Sequence, residues 1–503
     1  MWGLKAVATS LLVCSVLGAR NFPPDFKFGS ASSAYQVEGA WNYGDKTPSI
    51  WDVFIKKYPN VIIDNSNADI ACNSFHDWER DVKMARELGL DYYRFSISWP
   101  RILPTGKQDR ISEYGKKYYN DLINALLENG IKPVVTMYHW DLPQALQDWG
   151  GWLNPLISDW FENYARVLYS LFGDRVKTWL TLNEPLIFCE LSFNTGKHPP
   201  GLLSAGEGNY VCNKNAMLAH AKAWRVYDKE FREKQRGKVS LANQYIWLEP
   251  HTDSEIDVEA TKTARQLMIG MYTHPIFSKD GGWPPVIERI VAEKSKKEGR
   301  FLSRLPGFTQ EEIEVIKGTY DFLGINYYTA RTVNKVEDGV EVGEWPLLGS
   351  SDLDIQLTTN DKWNMTDASW LFEHPVGFRR LLNWLKNEYG DIDILITENG
   401  YATNKTIIDD QARVKYMEKH LEQVLLAINE DKIKVIGYTA WSMMDNFEWC
   451  DGYSLRFGLY EVDFKDPKLK HKPRASAHYY TNVIKHRSLD FDDKISNIIT
   501  GEL

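Results

Sequence analysis

Two glutamates stand out for what surrounds them. In Ile394-Leu395-Ile396-Thr397-Glu398-Asn399-Gly400-Tyr401 an apolar run leads into a carboxylate, and Asn399-Gly400 turns the chain behind it. In Trp179-Leu180-Thr181-Leu182-Asn183-Glu184-Pro185 a second apolar run ends in Glu184, and Pro185 terminates the strand. A glutamate at the end of an apolar strand is presented at the rim of a sheet. Taken singly, either is equally well explained as a solvated strand end or a helix cap. Taken as a pair they can divide acid, base and nucleophile roles, provided one is held ionised and the other protonated.

Such a division needs elements that bring both carboxyls to one place. Strand-like runs fall at 26–29, 92–98, 133–139, 179–185, 239–247, 322–328, 392–398 and 435–441. Helical periodicity covers 78–88, 118–127, 156–172, 257–271, 376–389, 412–428 and 475–483. Near-continuous apolar strands imply burial on both faces, and strand–helix alternation implies a parallel sheet. The expected class is α/β, a single (β/α)8 TIM barrel with extended βα loops. An open doubly wound sheet would need a glycine-rich phosphate loop after the first strand. The stretch Gly29-Ser30-Ala31-Ser32-Ser33-Ala34 lacks that spacing. No flexible linker divides the chain, so residues 20–490 are read as one domain, with 255–310 and 334–368 as rim loops and 491–503 as a tail.

In a barrel the C-terminal strand ends converge on one pocket. Gln36 and Glu38 follow the first expected strand, the second carries Arg94, and the third ends in His139-Trp140. The fourth ends in Asn183-Glu184, the sixth in Asn326 and Tyr328, the seventh in Glu398, and the eighth in Trp441 with Glu448-Trp449 beyond. Only the fifth supplies no such group, a pattern that solvation alone does not explain.

The 503-residue chain has net charge −9 with both signs spread along it. No basic run points to nucleic acid or a membrane surface. Residues 1–19 pair Lys5 with a short apolar run ending in Gly18-Ala19, the pattern of a secretory signal peptide and too short for a membrane span. Secretion, into the extracellular space or a gut lumen, is therefore expected. Beyond that leader lie Cys72, Cys189, Cys212 and Cys450; Cys189 and Cys212 are close enough in sequence to pair within one loop, and the spacing fits no zinc site. The sequons Asn364-Met365-Thr366 and Asn404-Lys405-Thr406 lie in polar stretches and mark Asn364 and Asn404 for surface glycosylation. No metal or cofactor motif is present, and a homodimer is compatible with the sequence.

The stretch Phe26-Lys27-Phe28-Gly29-Ser30-Ala31-Ser32-Ser33-Ala34-Tyr35-Gln36-Val37-Glu38-Gly39-Ala40 resembles the N-terminal signature of glycoside hydrolase family 1. Thr181-Leu182-Asn183-Glu184-Pro185 resembles its acid/base motif, and Ile396-Thr397-Glu398-Asn399-Gly400 its nucleophile motif. Trp441-Ser442-Met443-Met444-Asp445-Asn446-Phe447-Glu448-Trp449 is similar to its sugar-binding loop. The likeness runs in order from Phe22 to Lys485, and within the family the chain looks like the secreted β-glucosidases of animals, insects among them. The resemblance implies a retaining β-glucosidase acting on terminal β-D-glucosyl residues of oligosaccharides or plant glucosides, without a cofactor. Glu398 would attack the anomeric carbon; Glu184 would protonate the leaving oxygen and then activate water. Retention goes with carboxyls about 5–5.5 Å apart. Arg94 and Tyr328 would favour ionised Glu398, with Asn326 in support. Gln36, His139, Asn183, Glu448 and Trp449 would meet the sugar's hydroxyls, Asn183 at the 2-OH and Glu448 at the 4- and 6-hydroxyls. Trp441 would form the stacking floor, Trp370 would stack on the aglycone, and Trp140 is divided between sugar contact and core. The charge of Glu448 would repel a 6-phosphorylated sugar.

The alternative is a thioglucosidase, a myrosinase acting on glucosinolates. Plant enzymes of that kind typically carry Gln at the acid/base position, where this chain has Glu184. A sulfated aglycone would also welcome positive charge at the mouth; Arg331 could provide it, opposed by Glu190. Non-catalytic relatives of the family commonly lose one catalytic glutamate, and both are present here.

Overall fold

The computed structural model describes residues 20–343 and 349–491. The expected leader 1–19, and the expected tail beyond Phe491, lie outside the described residues. Parallel strands close into an eight-stranded barrel. They are β1 Lys27–Ala31, β2 Tyr92–Ser96, β3 Lys132–Tyr138, β4 Thr178–Asn183, β5 Lys238–Gln244, β6 Leu323–Asn326, β7 Ile394–Asn399 and β8 Val435–Trp441. β8 closes on β1 from Lys27↔Gly437 to Ala31↔Trp441. The main helices are α1 Ser74–Glu87, α2 Glu113–Glu128, α3 Ile157–Phe172, α4 Gly208–Val226, α5 Glu255–Arg265, α6 Pro375–Tyr389, α7 Gln411–Asn429 and α8 Ala475–His486. None of the described helices is long and apolar enough to cross a membrane.

The expected barrel is present, with three local corrections. β1 continues through Ser30 and Ala31, past the expected strand end at Gly29, because Ser30 Oγ donates to the Ala440 carbonyl and both residues pair with β8. The expected fifth strand is two strands: β5 stops at Gln244, and Trp247–Pro250 pairs with Ala330–Lys335 in a separate four-stranded sheet. The stretch 334–368 is not all loop, since Ile355–Thr358 and Gly349–Ser350 join that sheet. Its strands are short and flanked by polar residues, so their alternation is too weak to stand out in sequence.

Inside the barrel, Tyr92, Val134, Leu180, Ala242, Phe322 and Leu395 make an apolar floor. Two positions further along their strands Arg94, Thr136 and Thr397 replace apolar side chains with polar ones. Outward residues such as Val135, Leu182 and Ile396 pack into the main core beneath the helices. Simple alternation would send every second residue outward. The β4–β5 register shifts between Leu180 and Asn183, and the β7–β6 register between Ile396 and Glu398. Thr181 therefore still faces out, bonding His220 at 2.7 Å, while Asn183 turns in. On β7, Thr397 Oγ1 reaches Asn326 and the next residue, Glu398, reaches Arg94, so consecutive side chains both turn inward, which is what a bulge achieves next to a site.

The loop after β8 is pinned by buried Asp445, whose carboxylate accepts from both terminal nitrogens of Arg474 at 2.8 Å and from Arg456 at 3.0 Å. Cys189 is bonded to Cys212, the expected pair, and the bond joins the short helix Pro185–Cys189 to α4 across the segment between them.

Gly400 is needed for close approach: a Cβ there would lie 2.1 Å from the Trp441 carbonyl oxygen. Gly400→Ala must push β7 and β8 apart, and is expected to cost about 1–3 kcal/mol. Urea unfolding checks this, and an unchanged midpoint would contradict it.

Candidate active site

The barrel mouth opens into a cavity of about 190 Å³. Glu184, Glu398, His139, Trp140, Tyr328, Trp370, Trp441, Glu448 and Trp449 line it, so nine residues expected at the site share one wall. Arg94, Asn183, Asn326 and Gln36 are buried one layer behind.

Arg94 on β2 organises that second layer. Its Nε donates to Thr136 Oγ1 at 3.1 Å, and one terminal nitrogen to the Thr397 carbonyl at 2.8 Å and Glu398 Oε1 at 2.7 Å. The other terminal nitrogen donates to Asn183 Oδ1 at 2.7 Å. Tyr328 donates its hydroxyl to Glu398 Oε2 at 2.7 Å. Glu184 instead accepts from a neutral amide, Asn326 Nδ2, at 2.7 Å. Thr397 fixes that amide by donating to Asn326 Oδ1 at 2.6 Å.

Glu184 is not a strand residue. It follows β4 with φ 51°, the N-cap of the short helix that Pro185 opens. Trp140 and Trp449 also take left-handed backbone, at φ 78° and 48°. Such conformations cost on the order of 1–3 kcal/mol each and persist where the surroundings hold them.

Burial pushes Glu184 well above the usual carboxylate range, and the negative charge of Glu398 adds to this. Burial also raises Glu398, but Arg94 and Tyr328 pull it back. The pair therefore gives up its first proton from Glu398, and Glu184 keeps the other. Burial, with Asp451 next, raises Glu448 well above the usual range too. The charge expected on Glu448 is thus suppressed, and Gln36 Nε2 donates to its Oε2 at 3.2 Å.

His139 is held neutral, first by burial and then by Arg94. Asn183 Oδ1 accepts from Arg94, so its Nδ2 must donate to His139 Nε2 at 3.1 Å. His139 Nδ1 then carries the proton and has no protein partner among the described residues. Trp140 gives its indole N–H to the Asn183 carbonyl at 2.9 Å and offers only ring surface, stacking 4.4 Å from Trp449. Gln36 already donates to Asn446 at 2.9 Å and the Phe447 carbonyl at 3.0 Å, so it acts in this structure as a brace for Glu448. Trp370 packs edge-on to Tyr328 at 5.8 Å.

Ile187, Leu191, His198, Gln244, Cys450, Asp451 and Phe457 also line the cavity and were not anticipated. Gln244 had a signal: Asn243-Gln244 is a polar strand end, masked when 239–247 is read as one strand. No group able to hold a metal occurs among the described residues. Asn364 and Asn404 are exposed, on segments joined by Asp367, which accepts from Thr403 Oγ1 and the Asn404 N–H at 2.9 Å each.

The family described as Glycosyl hydrolase family 1 matches residues 19–489. The chain is 43% identical over 467 residues to Myrosinase 1 of Brevicoryne brassicae, covering 92% of this chain and 98% of that protein. It is 41% identical over 471 residues to the cytosolic beta-glucosidase of Homo sapiens, covering 93% and 99%. A solved structure of a mutant rice beta-glucosidase in a covalent complex with glucose superposes with a TM-score of 0.86 at 37% identity, covering 94% of this chain and 100% of that one.

The Tyr328 hydrogen bond stabilises ionised Glu398, so Tyr328→Phe raises its pKa. Chemistry that needs the Glu398 carboxylate should then fail at higher pH, with the acid limb of kcat/KM moved up by about one pH unit. A pH–rate profile measures this; an unmoved or lowered acid limb would contradict it.

Proposed function

Because the chain belongs to glycosyl hydrolase family 1, we propose that Glu398 is its nucleophile and Glu184 its acid and then base. The protein is a β-glucosidase, an O-glycosyl hydrolase. The observation that carries the assignment of roles is the unequal wiring of two buried carboxyls: a cation and a phenol on Glu398, a neutral amide on Glu184.

In the first step an oxygen of ionised Glu398 bonds to the anomeric carbon as the bond to the leaving oxygen breaks. Glu184 gives that oxygen its proton. A glucosyl ester of Glu398 results, and Glu184 is now ionised. In the second step water attacks the same carbon, its proton passes to Glu184, and Glu398 leaves as a carboxylate. Two inversions return the β-anomer. The covalent glucose complex of the rice relative supports this order. Trp441, stacked 5.8 Å from His139, offers the sugar a floor, and the His139 Nδ1–H offers its edge a donor.

The thioglucosidase reading has a 43% identical myrosinase relative in its favour. Its candidate cation is committed elsewhere: Arg331 is buried, and its guanidinium donates to Thr329 Oγ1 at 2.9 Å and to the Ala330 and Trp370 carbonyls at 2.7 and 2.6 Å. Burial holds it down to about 10. Hydrolysis of O-glucosides is therefore the better-supported reading. Secretion as a glycoprotein, acting outside the cell or in a gut lumen, is part of the proposal, supported by the leader-like residues 1–19 and the exposed sequons.

Glu398→Gly should reduce hydrolysis of aryl β-glucosides at least about 10⁴-fold. Azide should restore turnover and give the α-glucosyl azide. Undiminished hydrolysis without azide would refute the assignment.

A further inference from the structure

The phenol that serves Glu398 sits on backbone that belongs to no strand. Tyr328 gives its hydroxyl to Glu398 Oε2, yet β6 ends at Asn326 and its pairing with β7 stops at Glu398↔Asn326. The next regular element, Ala330–Lys335, belongs to the separate four-stranded sheet. Tyr327 and Tyr328 therefore cross from one sheet to the other, and both are buried. Buried carbonyls on such a crossing need donors from outside the ladders.

Two buried side chains supply them. Asn399 ends β7, directly after Glu398, and its Nδ2 donates to the Tyr327 carbonyl at 2.7 Å and to the Tyr416 hydroxyl at 3.1 Å. That hydroxyl, carried on α7, donates in turn to the Tyr328 carbonyl at 3.2 Å. Tyr438 on β8 fills the other side of the amide, donating to Asn399 Oδ1 at 2.7 Å. The Tyr327 N–H completes the clamp by donating to the Glu398 carbonyl at 2.9 Å. Tyr416 also packs in one apolar cluster with Tyr328 and Trp441. Its ring is stacked 3.9 Å from His420, whose Nδ1–H donates to the Tyr416 carbonyl at 2.7 Å. Neither Asn399 nor Tyr416 lines the cavity.

Glu398 is faced by Arg94 from β2, Glu184 from beyond β4, Tyr328 from the crossing and Glu448 from the loop after β8, with neutral His139 on the same cavity wall. Tyr416 is faced by Tyr327, His420 and Glu373. Burial pushes the Tyr416 phenol well above its ordinary range and holds His420 down to about 3, so both are neutral. What Asn399 and Tyr416 transmit to Glu398 is therefore position, not charge. Resting on the assignment of Glu398 as nucleophile, we propose that Asn399 and Tyr416 are positioning residues, which clamp the Tyr327–Tyr328 backbone and so hold the Tyr328 hydroxyl on Glu398. A hydrogen bond weakens steeply when its geometry slackens. Without the clamp the Glu398 carboxylate loses part of a donor that favours its charged form, and its ionisation moves to higher pH.

The test is a set of pH–rate profiles of kcat/KM on an aryl β-glucoside, taken on the full-length protein and on Tyr416→Phe, Asn399→Ala, Tyr328→Phe and the Tyr328→Phe/Tyr416→Phe pair. Tyr416→Phe keeps the ring on His420 and removes only the hydroxyl; its acid limb should move up by about half a pH unit. Asn399→Ala also frees the Tyr327 carbonyl, and should move the limb at least as far. With the Tyr328 hydroxyl already gone there is nothing left to position, so in the paired variant Tyr416→Phe should add less than about 0.2 pH unit. A merely structural role would lower stability and leave the acid limb where it was. An acid limb unmoved or lowered in Tyr416→Phe, or a shift undiminished in the Tyr328→Phe background, overturns the proposal. An unmoved limb in Tyr328→Phe alone would instead overturn the assignment of Glu398 on which it rests.

Discussion

The site depends on one buried cation. Arg94 sits just above the apolar floor of the barrel, 1% exposed, and its guanidinium is shared among Glu398, the Thr397 carbonyl, Asn183 and Thr136. A lone charge there would be prohibitive. Paired with Glu398 and fully hydrogen-bonded, it fixes the direction of the carboxylate, and the planar fork of arginine allows four partners to be held at once. Through Asn183 the same group sets the tautomer of His139. Removing Arg94 would disturb the charge, the sugar-facing donor and the join between β2, β4 and β7 together.

That cation also explains how two carboxyls in one pocket differ. Burial lifts both, but Arg94 and Tyr328 act directly on Glu398, whereas Glu184 meets the amide of Asn326 and the field of its neighbour. Backbone irregularity makes the wiring reachable. Register shifts on β4 and β7 break the two-residue alternation just where Asn183 and Glu398 must turn inward, and Glu184 adopts a left-handed conformation to follow. The apolar floor and the helix-packed exterior carry the stability against which these local costs are set.

Much of this was legible in the chain. Continuous apolar strands alternating with amphipathic helices led to the barrel, and polar residues at strand ends led to Glu184, Glu398, Tyr328 and Trp441. What stayed hidden has physical causes. Periodicity cannot see a bulge, so it placed Glu184 on a strand and merged β5 with Trp247. It cannot see side-chain partners, so it gave no sign that the Gln36 amide also bonds the loop that carries Glu448. His198 leaves no trace of its position, because a return loop folds back over Leu191 and brings it to the cavity.

The central claim is that Glu398 is ionised, aimed by Arg94, and forms a covalent glucosyl ester. A 2-deoxy-2-fluoro-glucoside with a good leaving group tests it directly, since the fluorine slows both steps through an oxocarbenium-like transition state and lets the ester accumulate. Digestion and mass spectrometry of the inactivated protein should find a single fluoroglucosyl group, on Glu398 in the peptide containing residues 394–401. A label on any other residue, or inactivation with no covalent adduct, would contradict the account.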